Sequence, residues 1–140
     1  MATVTVTESN FDATVKQGIV LLDFWASWCG PCAQSFPWLD ELQKKLGSQG
    51  FTVLAVNVDK QRKKADTFLA QHPVQFSIAF DPQGKAAAAY GLPGMPSSYL
   101  VDRAGILRRA HTGFRPEEAA ELEAQIRALL AEPAPAKGDK

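Results

Sequence analysis

The sequence predicts one α/β domain, a central mixed β-sheet flanked by helices, and three observations carry that expectation. Residues 19 to 25 read Ile-Val-Leu-Leu-Asp-Phe-Trp, continuous rather than alternating, as expected of a strand covered on both faces. Strand-like and helix-like segments then alternate as far as Phe80, which implies βαβ units. Two later strand-like runs flank Asp102-Arg103-Ala104-Gly105, a turn suited to an antiparallel hairpin, so the sheet should be mixed.

Thr3 to Thr7 alternates Val with Thr, an edge-strand pattern, and Glu8 to Lys16 places Phe11 and Val15 four apart on one helical face. After the run from Ile19, which only Asp23 interrupts, Gln34 to Leu46 carries Phe36, Leu39, Leu42 and Leu46 at helical spacing, with Pro37 expected to kink the helix. Val53 to Val58 reads as a second buried strand, Gln61 to Gln71 as a polar helix and Ser77 to Phe80 as a short strand. Asp81-Pro82-Gln83-Gly84 is a turn, Ala86 to Tyr90 a short helix and Gly91 to Pro96 a Gly/Pro-rich loop. The hairpin strands are Ser98 to Val101 and Ile106 to Thr112. Pro116 to Leu130 closes the domain as an amphipathic helix with Leu122, Ile126, Leu129 and Leu130 inward.

A chain of 140 residues with 46% apolar content supports one core, so residues 1–131 are expected to form the domain. The remaining residues, 132–140, are Pro, Ala and charge, a composition expected to be disordered. Fifteen basic residues balance fifteen acidic ones, leaving no net field for nucleic acid or an anionic membrane. Neither a membrane span nor a signal peptide is visible; a secreted chain cloned without its leader would read the same. A monomer without direct membrane insertion is expected.

The two cysteines, Cys29 and Cys32, are too few for a disulfide framework and too close to close a useful loop, so their role is chemical. The thiolate is the nucleophile in disulfide exchange, yet a free thiol of pKa about 8.5 is only slightly ionised at pH 7. Cys29 falls at a helix N-terminus, where unpaired N–H groups and the dipole favour the thiolate. Cys32, in the first turn, should be more buried and suited to resolve a mixed disulfide formed by Cys29. Gly30 and Pro31 supply the intervening turn, and Pro31 has no N–H to leave unsatisfied there. C-x-x-C is also half of a zinc site, but His72 and His111 are remote from it and read as surface or loop residues. Haem attachment needs His after the second cysteine, where this chain has Ala33.

Asp23-Phe24-Trp25-Ala26-Ser27-Trp28-Cys29-Gly30-Pro31-Cys32, with Pro37 five residues on, resembles the active-site segment of thioredoxin, and Gly94-Met95-Pro96 resembles the cis-proline loop of that family. Sixty-three residues stand between Cys32 and Pro96, more than in thioredoxin itself. The stretches Leu54 to Asp59 and Ser98 to Gly105 resemble the TlpA/ResA branch, which carries an inserted βα element. The resemblance implies a thioredoxin fold and a protein-disulfide reductase that works through its Cys29–Cys32 redox-active disulfide without a bound cofactor. Its implied partners are protein disulfide substrates and an upstream dithiol reductant, in a periplasmic or other extracytoplasmic setting and often in cytochrome c maturation.

For site residues, the resemblance implies a cis bond before Pro96, a substrate-binding edge at Met95 and a general-base role toward Cys32 for Asp23. An unpaired charge at Asp23, inside an apolar strand, would be expensive and its pKa should rise. Trp28 should shield the thiol and offer a flat apolar contact to partners, whereas Trp25 reads as core and Trp38 is undetermined. Two departures stand out: Ala55 occupies the position where thioredoxin has a lysine, and Lys60 that where ResA-type members have a glutamate. The proton path is therefore either Asp23 and water alone or one that recruits Lys60. Two rivals stay open, a disulfide donor or isomerase and a thiol-based metal or haem-chaperone adaptor, with Gly-Pro between the cysteines favouring reduction.

Overall fold

A computed structural model of the chain describes residues 5–6 and 18–133. The helix expected over 8–16 and residues 134–140 of the tail lie outside them. The described elements are β1 (Thr5–Val6), β2 (Ile19–Trp25), α1 (Gly30–Leu46), β3 (Phe51–Asn57), α2 (Arg62–Gln71), β4 (Ser77–Phe80), α3 (Lys85–Tyr90), β5 (Ser97–Val101), β6 (Leu107–Thr112) and α4 (Pro116–Ala131). They match the expected series, with boundaries moved by a few residues. Strand β3 begins at Phe51 rather than Val53 because Ile19 and Phe51 are already register partners.

The strands form one mixed sheet in the order β1-β4-β3-β2-β5-β6. Strand β2 runs parallel to β3 and antiparallel to β5, and this central place accounts for its continuous apolar sequence: both faces and both edges are covered. Its alternate residues go to different cores. Ile19, Leu21 and Trp25 join Phe36, Leu39, Leu42 and Leu46 of α1, Phe68 of α2, and Leu122, Ile126 and Leu129 of α4. Val20 and Phe24 face the opposite side with Leu54, Val56 and Tyr99, against Ala86, Ala87 and Leu92. Leu130 lies at the margin of the first core rather than within it.

The two β strands nearest the centre also approach closely at their start. The amide of Ile19 donates to the Gly50 carbonyl at 2.8 Å, and a Cβ on Gly18 would collide with that carbonyl oxygen. At the opposite edge, β6 breaks register with β5 beside Val101. Arg108, on an exposed stretch of β6, pairs with Asp102 at 2.9 Å and Glu132 at 2.8 Å, tying the hairpin to the end of α4.

Helix α1 begins at Gly30, ahead of its apolar periodicity, because Cys29 caps it and Pro31 occupies its first turn. It runs unbroken through Pro37, which lacks the N–H that the Ala33 carbonyl would otherwise receive. Lys44 and Lys45 in its last turn complement the helix dipole. Its Phe36 is the centre of an aromatic cluster, with ring centroids 5.0 Å from Trp25, 5.2 Å from Phe68 and 5.1 Å from Phe76. These edge-on contacts lock α1 and α2 to the sheet beneath the dithiol. Truncating Phe36→Ala should therefore cost about 3–5 kcal/mol in urea unfolding of the oxidised protein; a loss under about 1 kcal/mol would mean that the cluster does not anchor α1.

Candidate active site

The dithiol lies where β2 passes into α1. Cys29 is the N-cap residue of α1 in extended conformation, and its sulfur accepts a hydrogen bond from the amide of Cys32 at 3.2 Å. No acidic residue lies in the first turn of the helix, so nothing there opposes negative charge on Cys29 once the bond is reduced. Cys29 and Cys32 are joined as a disulfide with Cα atoms 5.3 Å apart. Cys32 is wholly buried and Cys29 retains slight exposure.

The loop leading to Cys29 is held from the neighbouring strand. The backbone amide and hydroxyl of Ser27 both donate to the carboxylate of Asp59 at 2.8 Å, and Asn57 Nδ2 donates to the same group at 2.7 Å. Asp59 is buried, so three hydrogen bonds replace its hydration. With the central strand behind it and this clamp at its side, the loop presents Trp28 at 71% exposure. Trp28, Cys29, Gly30 and Pro31 form one wall of an open groove of about 470 Å³, and Leu92, Pro93, Gly94 and Met95 form the other. The Met95–Pro96 peptide is cis and leads directly into β5. Of the residues singled out from the sequence, Trp28, Gly30, Pro31 and Met95 thus meet around Cys29. Trp25 is core, and Trp38 packs on Phe114 with centroids 5.8 Å apart.

Asp23 lies on the face of β2 that packs against α1 and α4. Its Oδ1 accepts from the Ser98 hydroxyl at 3.0 Å, while Oδ2 is buried without a protein hydrogen-bond partner. It opens onto a narrow crevice of about 10 Å³, enough for a single water. Ser35 and Pro96 line this crevice too. Ser35 donates to the carbonyl of Cys32 at 2.8 Å, so the crevice reaches the turn that carries the buried cysteine. The register partner of Asp23 on β3 is Ala55, which leaves its position without the lysine of thioredoxin. Lys60 is exposed in the β3–α2 connection and is not among the residues around the crevice.

Sequence reasoning missed Ser27 with Asp59, and Ser98 with Asp23. The first pair is 32 residues apart and the second 75, and neither has a local pattern beyond a polar residue in an apolar setting. His72 stacks on Phe68 at the end of α2, whereas His111 lies on β6 and lines the Asp23 crevice. Among the described residues, no three His, Cys, Asp or Glu side chains cluster as a metal ion would require, and no helix is long and apolar enough to cross a membrane.

Comparison with known proteins places these features in context. The redoxin family model matches residues 2–126. The thiol-disulfide oxidoreductase ResA of Geobacillus thermodenitrificans is 33% identical over 99 residues, 71% of this chain and 57% of that protein. ResA of Bacillus subtilis is 31% identical over 98 residues, 70% of this chain and 55% of that protein. The chain therefore spans little more than half the length of these relatives. A structure reported as a thiol:disulfide interchange protein DsbE of Chlorobium tepidum superposes with a TM-score of 0.82 at 51% identity, over 86% of this chain and 84% of that one. This likeness shows the thioredoxin-like fold.

Burial pushes the Asp23 carboxyl up from its ordinary 3.8 to about 7, with the Ser98 hydrogen bond opposing the rise. Between those values the folded chain holds a proton that the unfolded chain has released, so stability falls as pH rises across this window and the loss is complete above it. Unfolding free energy should thus drop by roughly 1 kcal/mol per pH unit at the steepest. Asp23→Asn, which keeps the shape without the charge, should abolish that slope and be about 3 kcal/mol more stable than the parent at pH 8. Urea titrations of both proteins at pH 5 and pH 8 measure this, and parallel pH dependences would contradict it.

Proposed function

The chain belongs to the redoxin family, and we propose from this premise that it is a thiol-disulfide oxidoreductase that reduces disulfides in partner proteins. The observation that carries the reading is the Cys29–Cys32 disulfide at the cap of α1, facing the cis Met95–Pro96 loop across an open groove. In the reduced enzyme the Cys29 thiolate attacks a substrate disulfide, forming a mixed disulfide and expelling one substrate thiolate. Cys32 passes its proton to the Asp23 carboxylate and its sulfur attacks Cys29. This restores the Cys29–Cys32 disulfide and expels the second substrate thiolate, which is protonated from solvent. Two electrons move to the substrate, and an upstream dithiol reductant returns the enzyme to its starting state.

The groove suits a partner held in extended form, with Trp28 and Met95 as apolar contacts and the backbone at Met95 free to pair with a substrate strand. Residues up to about 131 constitute the redox domain. The resemblance to the TlpA/ResA branch and the similarity to ResA support an extracytoplasmic setting, where partner disulfides persist, and a place in cytochrome c maturation.

Two measurements test the reading. The reduction potential of the Cys29–Cys32 pair, set by dithiol buffers and followed by tryptophan fluorescence, should lie below roughly −240 mV, in the range of reductants; a value above about −180 mV would mark a disulfide donor or isomerase. Cys32→Ser should trap the substrate on Cys29 as a stable mixed disulfide, whereas Cys29→Ser should trap none.

A further inference from the structure

Asp23 belongs to a row of residues that crosses the sheet. Its register partner on β5 is Ser98, and the partner of Ser98 on β6 is His111. Directly paired residues in adjacent strands point to the same face, so carboxyl, hydroxyl and imidazole stand in line from the centre of the sheet to its edge. All three line the crevice of about 10 Å³ beneath α4. Asp23 is 1% exposed at the inner end, while the imidazole is 31% exposed at the outer end. His111 Nε2 meets Glu118 Oε1 of α4 at 3.3 Å, and Arg115 holds the other Glu118 oxygen at 3.5 Å.

A buried carboxyl raised to about 7 is largely protonated at and below neutral pH, and it must release that proton to solvent before it can take the one from Cys32. Asp23, which lines the crevice, has one oxygen committed to Ser98 and the other without a protein partner, and neither Ala55 nor Lys60 offers it an outlet. We propose that His111, oriented by Glu118, is the positioning residue through which Asp23 exchanges its proton with solvent, by way of a single water in the crevice, while Ser98 holds the other carboxyl oxygen. The proposal rests on the reductase reading above. In the resolving step the proton goes from Cys32 sulfur to Asp23, then through the water to one imidazole nitrogen, while the other nitrogen releases its own to bulk solvent. During re-reduction the same groups return a proton to Cys32. The groups facing Asp23 are Ser35 from α1, Ala55 from β3, Ser98 from β5 and His111 from β6. Arg115, the N-cap of α4, and Glu118 within it complete the set of charges among the described residues, and they pair with each other.

The test is a single turnover of the reduced protein with oxidised glutathione, quenched at intervals and read by mass. It separates formation of the Cys29–glutathione mixed disulfide from its resolution by Cys32. His111→Ala should form the mixed disulfide at the parental rate and resolve it about tenfold more slowly near pH 7, and added imidazole should restore most of that loss. Glu118→Gln, which leaves β6 untouched, should slow resolution about threefold. Parental resolution by His111→Ala across pH 6 to 8 would overturn the proposal, and so would a slowing that imidazole leaves unchanged, since that marks a packing defect. If the parent protein itself forms no mixed disulfide, it is the reductase reading that fails.

Discussion

The hydrogen bond from the Cys32 amide to the Cys29 sulfur joins the central strand of the sheet to its longest described helix, and the rest of the site is arranged around that junction. A helix start leaves several amides without partners. Here one of them is turned on a sulfur atom. For this to hold, β2 has to deliver the chain at a fixed height and α1 has to begin at once. The first requirement is met by pairing of β2 with β3 and β5 along its length, and the second by Pro31 in the first turn. Asp59 then fixes the short loop between them through both the backbone and the side chain of Ser27.

That arrangement makes one face of the sheet structural and chemical at once. The core that includes Trp25, Phe36, Phe68 and Phe76 lies under the dithiol and excludes water from Cys32. Into the same face β2 places a carboxyl with a single hydrogen bond, where an aliphatic residue would pack without penalty. The cost falls on stability at neutral and alkaline pH, and under the proposed mechanism the return is a base whose affinity for protons suits a thiol. Under that mechanism function and stability oppose each other at Asp23.

On the outer side the chemistry is one of shape. The segment Leu92 to Met95 forms the second wall of the groove, and the cis Met95–Pro96 peptide leads from it into β5. Trp28 gives the first wall a large apolar surface exposed to solvent. Charged side chains are absent from both walls among the described residues, which favours an extended apolar or neutral segment of a partner over a charged one.

Much of this was legible in the chain before folding. The uninterrupted run Ile19 to Trp25, the adjoining Cys-Gly-Pro-Cys and the apolar period of α1 are local patterns, and local patterns are read by the steric and hydrophobic rules that form single elements. They determined the α/β class, the dithiol at a helix start, the buried position of Asp23 and the inward face of α4. Element ends were less legible, as with Phe51, because strand limits follow from the partner strand. The tertiary structure alone decided which distant polar residues meet. Ser98 reaches Asp23 across 75 residues, Ser27 reaches Asp59 across 32, and His111 comes to the Asp23 crevice only because β6 folds back on β5 in one register. A strand slipped by a single residue would turn Asp23, Ser98 or His111 to the opposite face, and no residue's own neighbours in sequence specify that choice.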